Sequence, residues 1–284
     1  MPGVDGLRVL PTQRPRERAA ALRLVDARTG EAAGAEPGHR RPLRILVDAP
    51  YDGAEQPSGL RARLVADVLA RATELYGGQA LVGCTWPVTT GRSDTERDAF
   101  EAQAAVLGIR PPAAAGTPEE VSAALGGPAD VHITTRREAV ARGLLVEIGT
   151  VVPYERPGPL GLDALALRLA LLDHPHRQPV SLTPEGLGTA ERSIVRWRRS
   201  MAAWAQAPSK PMCAEYLGQA LARLEDDLDV PGVLAVLDRV EADDALPAGS
   251  KFETFAHLDR VLALELAREI GRETGRPAPP GTRS

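Results

Sequence analysis

The sequence predicts an α/β domain built on a parallel sheet, followed by a bundle of helices. Two patterns indicate this class. In the first half, apolar runs that suit buried strands flank an amphipathic helix, which is typical of a βαβ unit. After about residue 162, apolar residues recur at helical spacing. We expect a flexible arm at 1–21, the α/β domain at 22–152, the helical bundle at 162–271 and a flexible tail at 272–284.

Composition excludes several classes of protein. The 284 residues are 43% hydrophobic, which is enough for real cores, and the net charge of −4 gives no global reason for nucleic-acid binding. No stretch approaches the ~20 apolar residues of a membrane span, and the N-terminus lacks an apolar signal core, so we expect no membrane contact and a cytoplasmic location. Cys84 and Cys213 are far apart, and we expect two separate thiols that pack as small apolar residues.

The first half is predicted from its apolar runs and from the periodicity between them. An alternating run at 22–26 suits a short strand, and the β-branched run at 43–47 suits a buried one. A strong amphipathic helix at 60–76 ends at Gly77-Gly78, and a core strand follows at 80–84. The remaining predicted elements are a helix through Phe100 and Leu107, a short helix at 118–125, and strands near 130–133 and 144–148.

The second half is predicted from helix caps and apolar stripes. Asp163, Thr183 (with Pro184 after it) and Asp229 are placed to cap three helices. A further helix is predicted to carry apolar residues from Tyr216 to Leu228. The last is predicted to run from about 252 to 270, with Gly271 at its end. Such helices with short connections are typical of a bundle.

Several motifs, taken in order, resemble the cysteinyl-tRNA synthetase family and the related cysteine ligase of mycothiol biosynthesis. Leu22-Arg23-Leu24-Val25-Asp26 is similar to the family's "LRLYDT" strand, and the Tyr51-Asp52 loop to "CGPTVYD". The run 165–172 resembles its "IRLALL" helix, and 226–231 its "DDLDTP" joint. The resemblance covers roughly 22–110 and 144–270. It implies a Rossmann-like, class I synthetase nucleotide fold and ATP-dependent activation of cysteine.

The chain departs from the family at three catalytic places. Where the family has "HIGH", residues 56–63 contain no histidine. Gly59 suits a close backbone approach and Arg61 a phosphate contact, as in a residual nucleotide site, but we favour an ordinary loop-to-helix turn. Where it has the lysine-bearing "KMSKS" loop, 146–161 contain no lysine. The zinc ligands that the resemblance implies are also missing from 134–142, so we expect no zinc. His132 is similar to the histidine of the family's "DIHGGG" motif.

Three further patterns each allow two interpretations. His174 and His176 suit either a metal pair or a helix-end turn, and we favour the turn. The arginines of 192–199 suit either an RNA-binding face or a solvated face over an apolar stripe, and we favour the solvated face. Asp226, Asp227 and Asp229 suit either a metal cluster or a helix cap, and we favour a cap at Asp229.

Two main hypotheses for function follow. In the first, the chain is a non-catalytic paralogue that binds a small-molecule ligand or a protein partner. Any ligand pocket then lies at the carboxyl ends of the strands, near Tyr51, Asp52, Gly59, Arg61 and His132. In the second, it is an ATP-dependent adenylate-forming ligase that charges tRNA, a carrier or a small amine. A tRNA-binding module is a third, weaker hypothesis.

Overall fold

A computed structural model describes residues 22–35, 41–48, 56–85, 94–136, 142–152 and 162–271. The predicted arm at 1–21, the predicted tail at 272–284, and the candidate site residues Tyr51 and Asp52 lie outside the described residues. The domain boundary expected between 152 and 162 stays a prediction, because 153–161 are not described either.

The centre of the first half is a five-stranded parallel sheet with the strand order β5-β4-β3-β6-β7. Its strands are β3 Leu43–Asp48, β4 Ala80–Thr85, β5 Ala114–Gly116, β6 Val131–Thr134 and β7 Leu144–Glu147. An antiparallel hairpin of β1 Arg23–Val25 and β2 Ala32–Gly34 contacts β7, and β8 Val151–Val152 pairs with β9 Val180–Ser181. This sheet confirms the predicted α/β, Rossmann-like class.

Helices cover the two faces of the sheet unequally. Helix α1, Gln56–Leu75, contacts β3, β4, β6 and β8, and its Arg63 interacts with Cys84 of β4. Helix α2, Asp94–Val106, packs against α1. Helix α3, Pro118–Ala124, covers the other face, where Val121 and Leu125 leave no room for a side chain at Gly83. The α1 face is therefore the more deeply buried one.

Helices make up most of the second half, and they confirm the predicted bundle. They are α4 Ala164–Leu172, α5 Pro184–Trp204, α6 Ala214–Glu225, α7 Val230–Ala242 and α8 Ala248–Leu262. The three predicted caps are confirmed, because the side chains of Asp163, Thr183 and Asp229 each accept a hydrogen bond from a backbone N–H of the first turn. Among the described residues, no helix is both long and apolar enough to cross a membrane.

The prediction for the last helix was wrong at its C-terminal end. Helix α8 ends at Leu262, and Ala263 takes the left-handed conformation with φ 50°. The carboxylate of Asp259 accepts hydrogen bonds from the backbone N–H groups of Leu264 (2.7 Å) and Leu266 (2.8 Å). Leu266 keeps the helical spacing in the sequence, but these contacts turn the chain out of the helix.

The prediction for the helix before Asp229 was also too long. Helix α6 ends at Glu225, and Asp227 and Leu228 both have φ 52°, so Leu228 belongs to the joint between α6 and α7. The carboxylate of Asp227 accepts a hydrogen bond from the backbone N–H of Val25 (2.8 Å) and another from Arg177 (2.9 Å). The joint therefore fastens the bundle to the β1–β2 hairpin.

A second contact between the two halves is a buried arginine. Arg168 of α4 is fully buried, and its guanidinium donates to the carboxylate of Asp67 on α1 (3.0 Å). It also donates to the backbone carbonyls of Leu107 (3.0 Å) and Leu262 (2.7 Å). One apolar core continues from the sheet into the bundle around this contact. The α/β half and the bundle therefore share one folded unit.

Candidate functional site

A row of polar residues lies at the carboxyl edge of the parallel sheet. Thr85, Asp48, Thr134 and Glu147 are the last residues of β4, β3, β6 and β7, and each is in register with the next. Neighbours in register point to the same face of a sheet, so the four side chains share one face. Thr85 donates a hydrogen bond from its hydroxyl to Asp48 (3.0 Å). In open α/β sheets, this edge is where ligands bind.

His132 lies on the same face, two residues before Thr134 on β6. Its side chain is half-buried, and burial lowers the pKa of its imidazole below the usual value. The nearby guanidinium of Arg28 lowers that pKa further, whereas Asp48 and Asp130 oppose the shift. A hydrogen bond from the ring to the backbone carbonyl of Arg142 also opposes the shift. At neutral pH the imidazole is therefore uncharged, with its N–H held by that carbonyl and its other nitrogen able to accept a hydrogen bond.

Gly59 lies in the first turn of α1, where the helix approaches the segment after β7. Gly59 and the neighbouring Ser58 are both buried, and the Ser58 hydroxyl accepts a hydrogen bond from the backbone N–H of Val151 (2.9 Å). The first turn of α1 is therefore packed against β8. Because α1 and His132 are on opposite faces of the sheet, the structure separates Gly59 from His132.

Arg61 is the candidate for a phosphate contact, and its guanidinium is occupied by backbone carbonyls. It donates to the carbonyls of Pro175 (2.8 Å), Gly149 (3.2 Å) and His174 (3.3 Å), and to that of Gln178. Its side chain is 1% exposed, and burial lowers its pKa to about 10. In this arrangement Arg61 fastens α1 to the loop after α4, and its charge faces peptide oxygens.

Zinc does not fit the described residues at this edge. Cys84, the cysteine nearest to it, is buried on the α1 face, and burial raises the pKa of its thiol to about 12. A cysteine binds zinc as the thiolate, so this protonated thiol is a poor ligand. In the described part of the chain, no three His, Cys, Asp or Glu side chains are grouped so that they could hold a metal ion.

Lysine is almost absent from the sequence, which contains only Lys210 and Lys251. Both belong to the bundle, and Lys251 donates a hydrogen bond to the backbone carbonyl of Glu241 (2.7 Å). The first half of this chain therefore contains no lysine that could correspond to the phosphate-binding lysines of the synthetase loop.

The structure places the side chains of the histidine and arginine patterns. His174 and His176 lie in the turn after α4, where the ring of His174 contacts the carbonyl of Ala170 (3.1 Å) and His176 is buried. Arg198 turns inward and donates to the carbonyls of Leu264 (2.8 Å) and Glu265 (3.1 Å). The predicted basic face is therefore smaller than expected, because one of its arginines belongs to the core.

The polar row was missed by the sequence reasoning, although its signal was present. The predicted strands end at Val47, Cys84 and Ile133, and the next residue in each case is polar: Asp48, Thr85 and Thr134. Parallel neighbours bring such residues together at one edge. Their pairing depends on the strand order, and the sequence alone did not provide that order.

Comparison with known proteins identifies relatives of this chain. No family model matches the chain. A 228-residue stretch, 78% of the chain, is 30% identical to the L-cysteine:1D-myo-inositol 2-amino-2-deoxy-alpha-D-glucopyranoside ligase of Cellulomonas flavigena and covers 49% of it. The ligase of the same name from Streptosporangium roseum is 41% identical over 87 residues, 31% of the chain and 20% of that protein. The chain is a homologue of these cysteine ligases.

This cysteine ligase homologue spans about half the length, or less, of the curated relatives that it matches. The ligase of Geodermatophilus obscurus gives a similar short match, 42% identical over 78 residues, 28% of the chain and 18% of that protein. The resemblance to cysteinyl-tRNA synthetase-related class I enzymes, expected from the motifs, is thereby confirmed.

Proposed function

We propose that this ligase homologue binds a small polar molecule at the carboxyl edge of its sheet without normal activation of cysteine. The engagement of Arg61 carries this proposal. Adenylate formation develops negative charge on phosphate groups, and enzymes stabilise that charge with preorganised donors. The arginine nearest to the start of α1 gives its hydrogen bonds to four backbone carbonyls instead.

The polar row supports binding of a ligand with hydroxyl, amine or amide groups. Asp48 brings a carboxylate, and the neutral His132, whose N–H donates to the backbone carbonyl of Arg142, brings one acceptor. The hydroxyls of Thr85 and Thr134 are buried and bond Asp48 and the backbone carbonyl of Arg136, so they orient this edge. Ligand sites at the edge of an α/β sheet orient small molecules through a few polar groups. ATP is one candidate ligand, the amino sugar named for the relatives is another, and a protein partner would use the same edge.

The alternative is an ATP-dependent ligase that charges tRNA, a carrier or a small amine. Homology to cysteine ligases favours it. Its activity is expected to be low, because each missing charge-stabilising donor typically lowers the rate by ~10²–10³-fold. We also infer a cytoplasmic location, since Cys84 and Cys213 are free thiols.

Two measurements on the purified protein test the proposal. The first is amino-acid-dependent ATP–pyrophosphate exchange against all twenty amino acids, with and without tRNA, using the Cellulomonas flavigena ligase as the positive control. We expect no exchange above background in folded protein. Cysteine-dependent exchange above background would contradict the proposal and favour the ligase alternative.

The second measurement is calorimetric binding of ATP, cysteine and the amino sugar. We expect at least one of them to bind, and His132→Ala to weaken that binding about tenfold, which is the effect of roughly 1.4 kcal/mol of lost hydrogen bonding. His257→Ala is the matched control, because His257 is also a half-buried histidine whose pKa burial lowers, but it lies on α8. Equal losses in both variants would contradict a site at the carboxyl edge.

A further inference from the structure

His176 is a buried histidine beside the joint between α6 and α7. It lies in the turn after α4 and is 7% exposed. Its Nε2 atom has no hydrogen-bond partner among the described residues, and it lies 3.8 Å from a carboxylate oxygen of Asp227 in the joint. Most buried polar atoms in proteins are paired. Protonation makes both ring nitrogens donors, so a charged His176 would present a donor to this carboxylate.

The carboxylate of Asp227 holds the β1–β2 hairpin against the bundle. It accepts hydrogen bonds from the backbone N–H of Val25 (2.8 Å) and from the guanidinium of Arg177 (2.9 Å). Arg177 also donates to the backbone carbonyl of Val25. The backbone N–H of Asp227 donates to the carbonyl of Arg23 (2.9 Å). A change at this carboxylate therefore acts directly on strand β1.

The backbone of the joint is held in an unfavourable conformation. Asp227 and Leu228 both have φ 52°, and a leucine rarely takes this left-handed conformation because its Cβ crowds the backbone. Leu228 is buried, and it borders a cavity of about 20 Å³ that His176 and Arg61 also line. Strain of this kind persists only where surrounding contacts enforce it. Loss of the contacts at Asp227 would therefore favour opening of the joint.

Three charged groups face the ring of His176. They are Asp227 of the joint, Arg177 of the same turn and Arg61 of α1. Burial lowers the pKa of His176 to about 4, and the two arginines lower it further, whereas Asp227 opposes the shift. An opening that exposes the ring to water returns its pKa toward the ordinary value of 6.5. The open state therefore binds a proton more readily than the closed state, so acid favours opening.

We propose that His176 and Asp227 form an acid-sensitive latch, which releases the β1–β2 hairpin when the ring takes up a proton, while the parallel sheet stays folded. The charged ring donates from Nε2 to the carboxylate of Asp227 and competes there with Val25. It is also repelled by the guanidinium groups of Arg61 and Arg177. Both effects weaken the closed arrangement, and the strained joint relaxes once the hairpin is free.

Opening of the hairpin also reaches the candidate site at the carboxyl edge. The hairpin carries Arg28, which donates to the backbone carbonyl of Gly143 (2.6 Å) and lies near His132. Release of the hairpin therefore withdraws a positive charge from His132. The latch itself rests on the contacts of the joint and does not depend on the function proposed for that edge.

Native-state hydrogen exchange tests the latch, followed by NMR on the full chain from about pH 7 to about pH 4.5 and corrected for intrinsic exchange rates. The amides of Val25 and Ala35 report opening of the hairpin, since they bond to Asp227 and to the carbonyl of Leu22. The amides of β3 report global unfolding. We expect the hairpin to be open at least about tenfold more often than β3 at each pH.

The decisive observation is the dependence of hairpin opening on pH. In the wild type, we expect the open population to rise roughly tenfold for each pH unit below about 6. His176→Leu removes the titrating ring and is expected to remove this rise, whereas His174→Gln, the matched control in the same turn, keeps it. A rise that persists in His176→Leu would overturn the proposal, and so would hairpin amides that are as protected as those of β3 at every pH.

Asp227→Asn tests the latch without altering the buried ring. It removes the charge that binds Arg177, so we expect the hairpin to open at least about tenfold more often at about pH 7, with the amides of β3 unchanged. Asp226→Asn is the matched control, because Asp226 is the exposed neighbour in the same joint. Equal acceleration of the hairpin and β3 amides by Asp227→Asn would show that the whole fold opens at once, and would also overturn the proposal.

Discussion

Replacing Arg168 with methionine is expected to destabilise the whole protein, because this side chain joins the α/β half to the bundle. The variant keeps most of the apolar stem and removes the guanidinium. Asp67 then loses its hydrogen bond from Arg168 but keeps those from Arg71 (2.8 Å) and Arg110 (3.0 Å). The carbonyls of Leu107 and Leu262 lose a buried donor.

The magnitude follows from these losses. Removing one partner of a buried ion pair costs about 3–5 kcal/mol, and each buried carbonyl left unpaired costs about 1–3 kcal/mol. Because Asp67 keeps two arginines, we place the total at about 3–5 kcal/mol. For a chain of this length, that loss lowers the melting temperature by about 6–20 °C.

Urea unfolding followed by circular dichroism measures the change. Arg199→Met is the matched control, because Arg199 is exposed on α5 and its replacement is expected to change the free energy of unfolding by less than about 0.5 kcal/mol. A loss below about 1 kcal/mol for Arg168→Met would refute the assignment of Arg168 as the link between the two halves.

Three other predictions concern pH, close packing and thiol reactivity. Burial lowers the pKa of His176 to about 4, below its ordinary value of 6.5, so stability is expected to fall as the pH drops from about 6.5 toward 4. In acid unfolding curves, His176→Leu should reduce the change of stability with pH. His174→Leu, which alters the exposed neighbour, should leave that pH dependence unchanged. Gly149→Ala is expected to lower the free energy of unfolding by about 1–3 kcal/mol, because a Cβ there would lie 2.3 Å from a backbone carbonyl. Gly218→Ala, at a helical position with open space around it, should raise the free energy of unfolding by about 0.5–1 kcal/mol. A change of the same sign in both variants would contradict the packing argument. Cys84 is expected to resist iodoacetamide at pH 8 until the protein is unfolded, since burial keeps its thiol protonated, and rapid labelling in the native state would contradict this.

Similarity to a family motif predicted where a helix begins, but it did not predict the contacts of the side chains in that motif. The motif that resembles the synthetase helix start directed attention to Gly59 and Arg61, but the structure buries both, and Arg61 binds the loop after α4. His132 remains beside the polar row at the carboxyl edge. A motif indicates where a helix begins, whereas the partners of its side chains depend on segments more than 80 residues away, such as Gly149.

The sequence by itself determined the class of fold, the core strands and the helix caps. Apolar periodicity and side-chain caps are local properties, so the strand at 43–47 and the caps at Asp163 and Thr183 could be predicted from their neighbours alone. The edge strand β5 was missed because it is three residues long and lies in a Gly/Pro/Ala-rich stretch.

Only the tertiary structure decided where the last helix ends and which polar residues meet. Helical spacing continues through Leu266, but contacts of Arg168 with the carbonyl of Leu262, and of Asp259 and Arg198 with the backbone beyond it, outweigh that local preference. The row of Asp48, Thr85 and Thr134 likewise depends on the order of strands in the sheet. The contacts of Arg168 and Arg198 with the last helix end, and the pairing of Thr85 with Asp48, join residues far apart in sequence, so no local pattern predicts them.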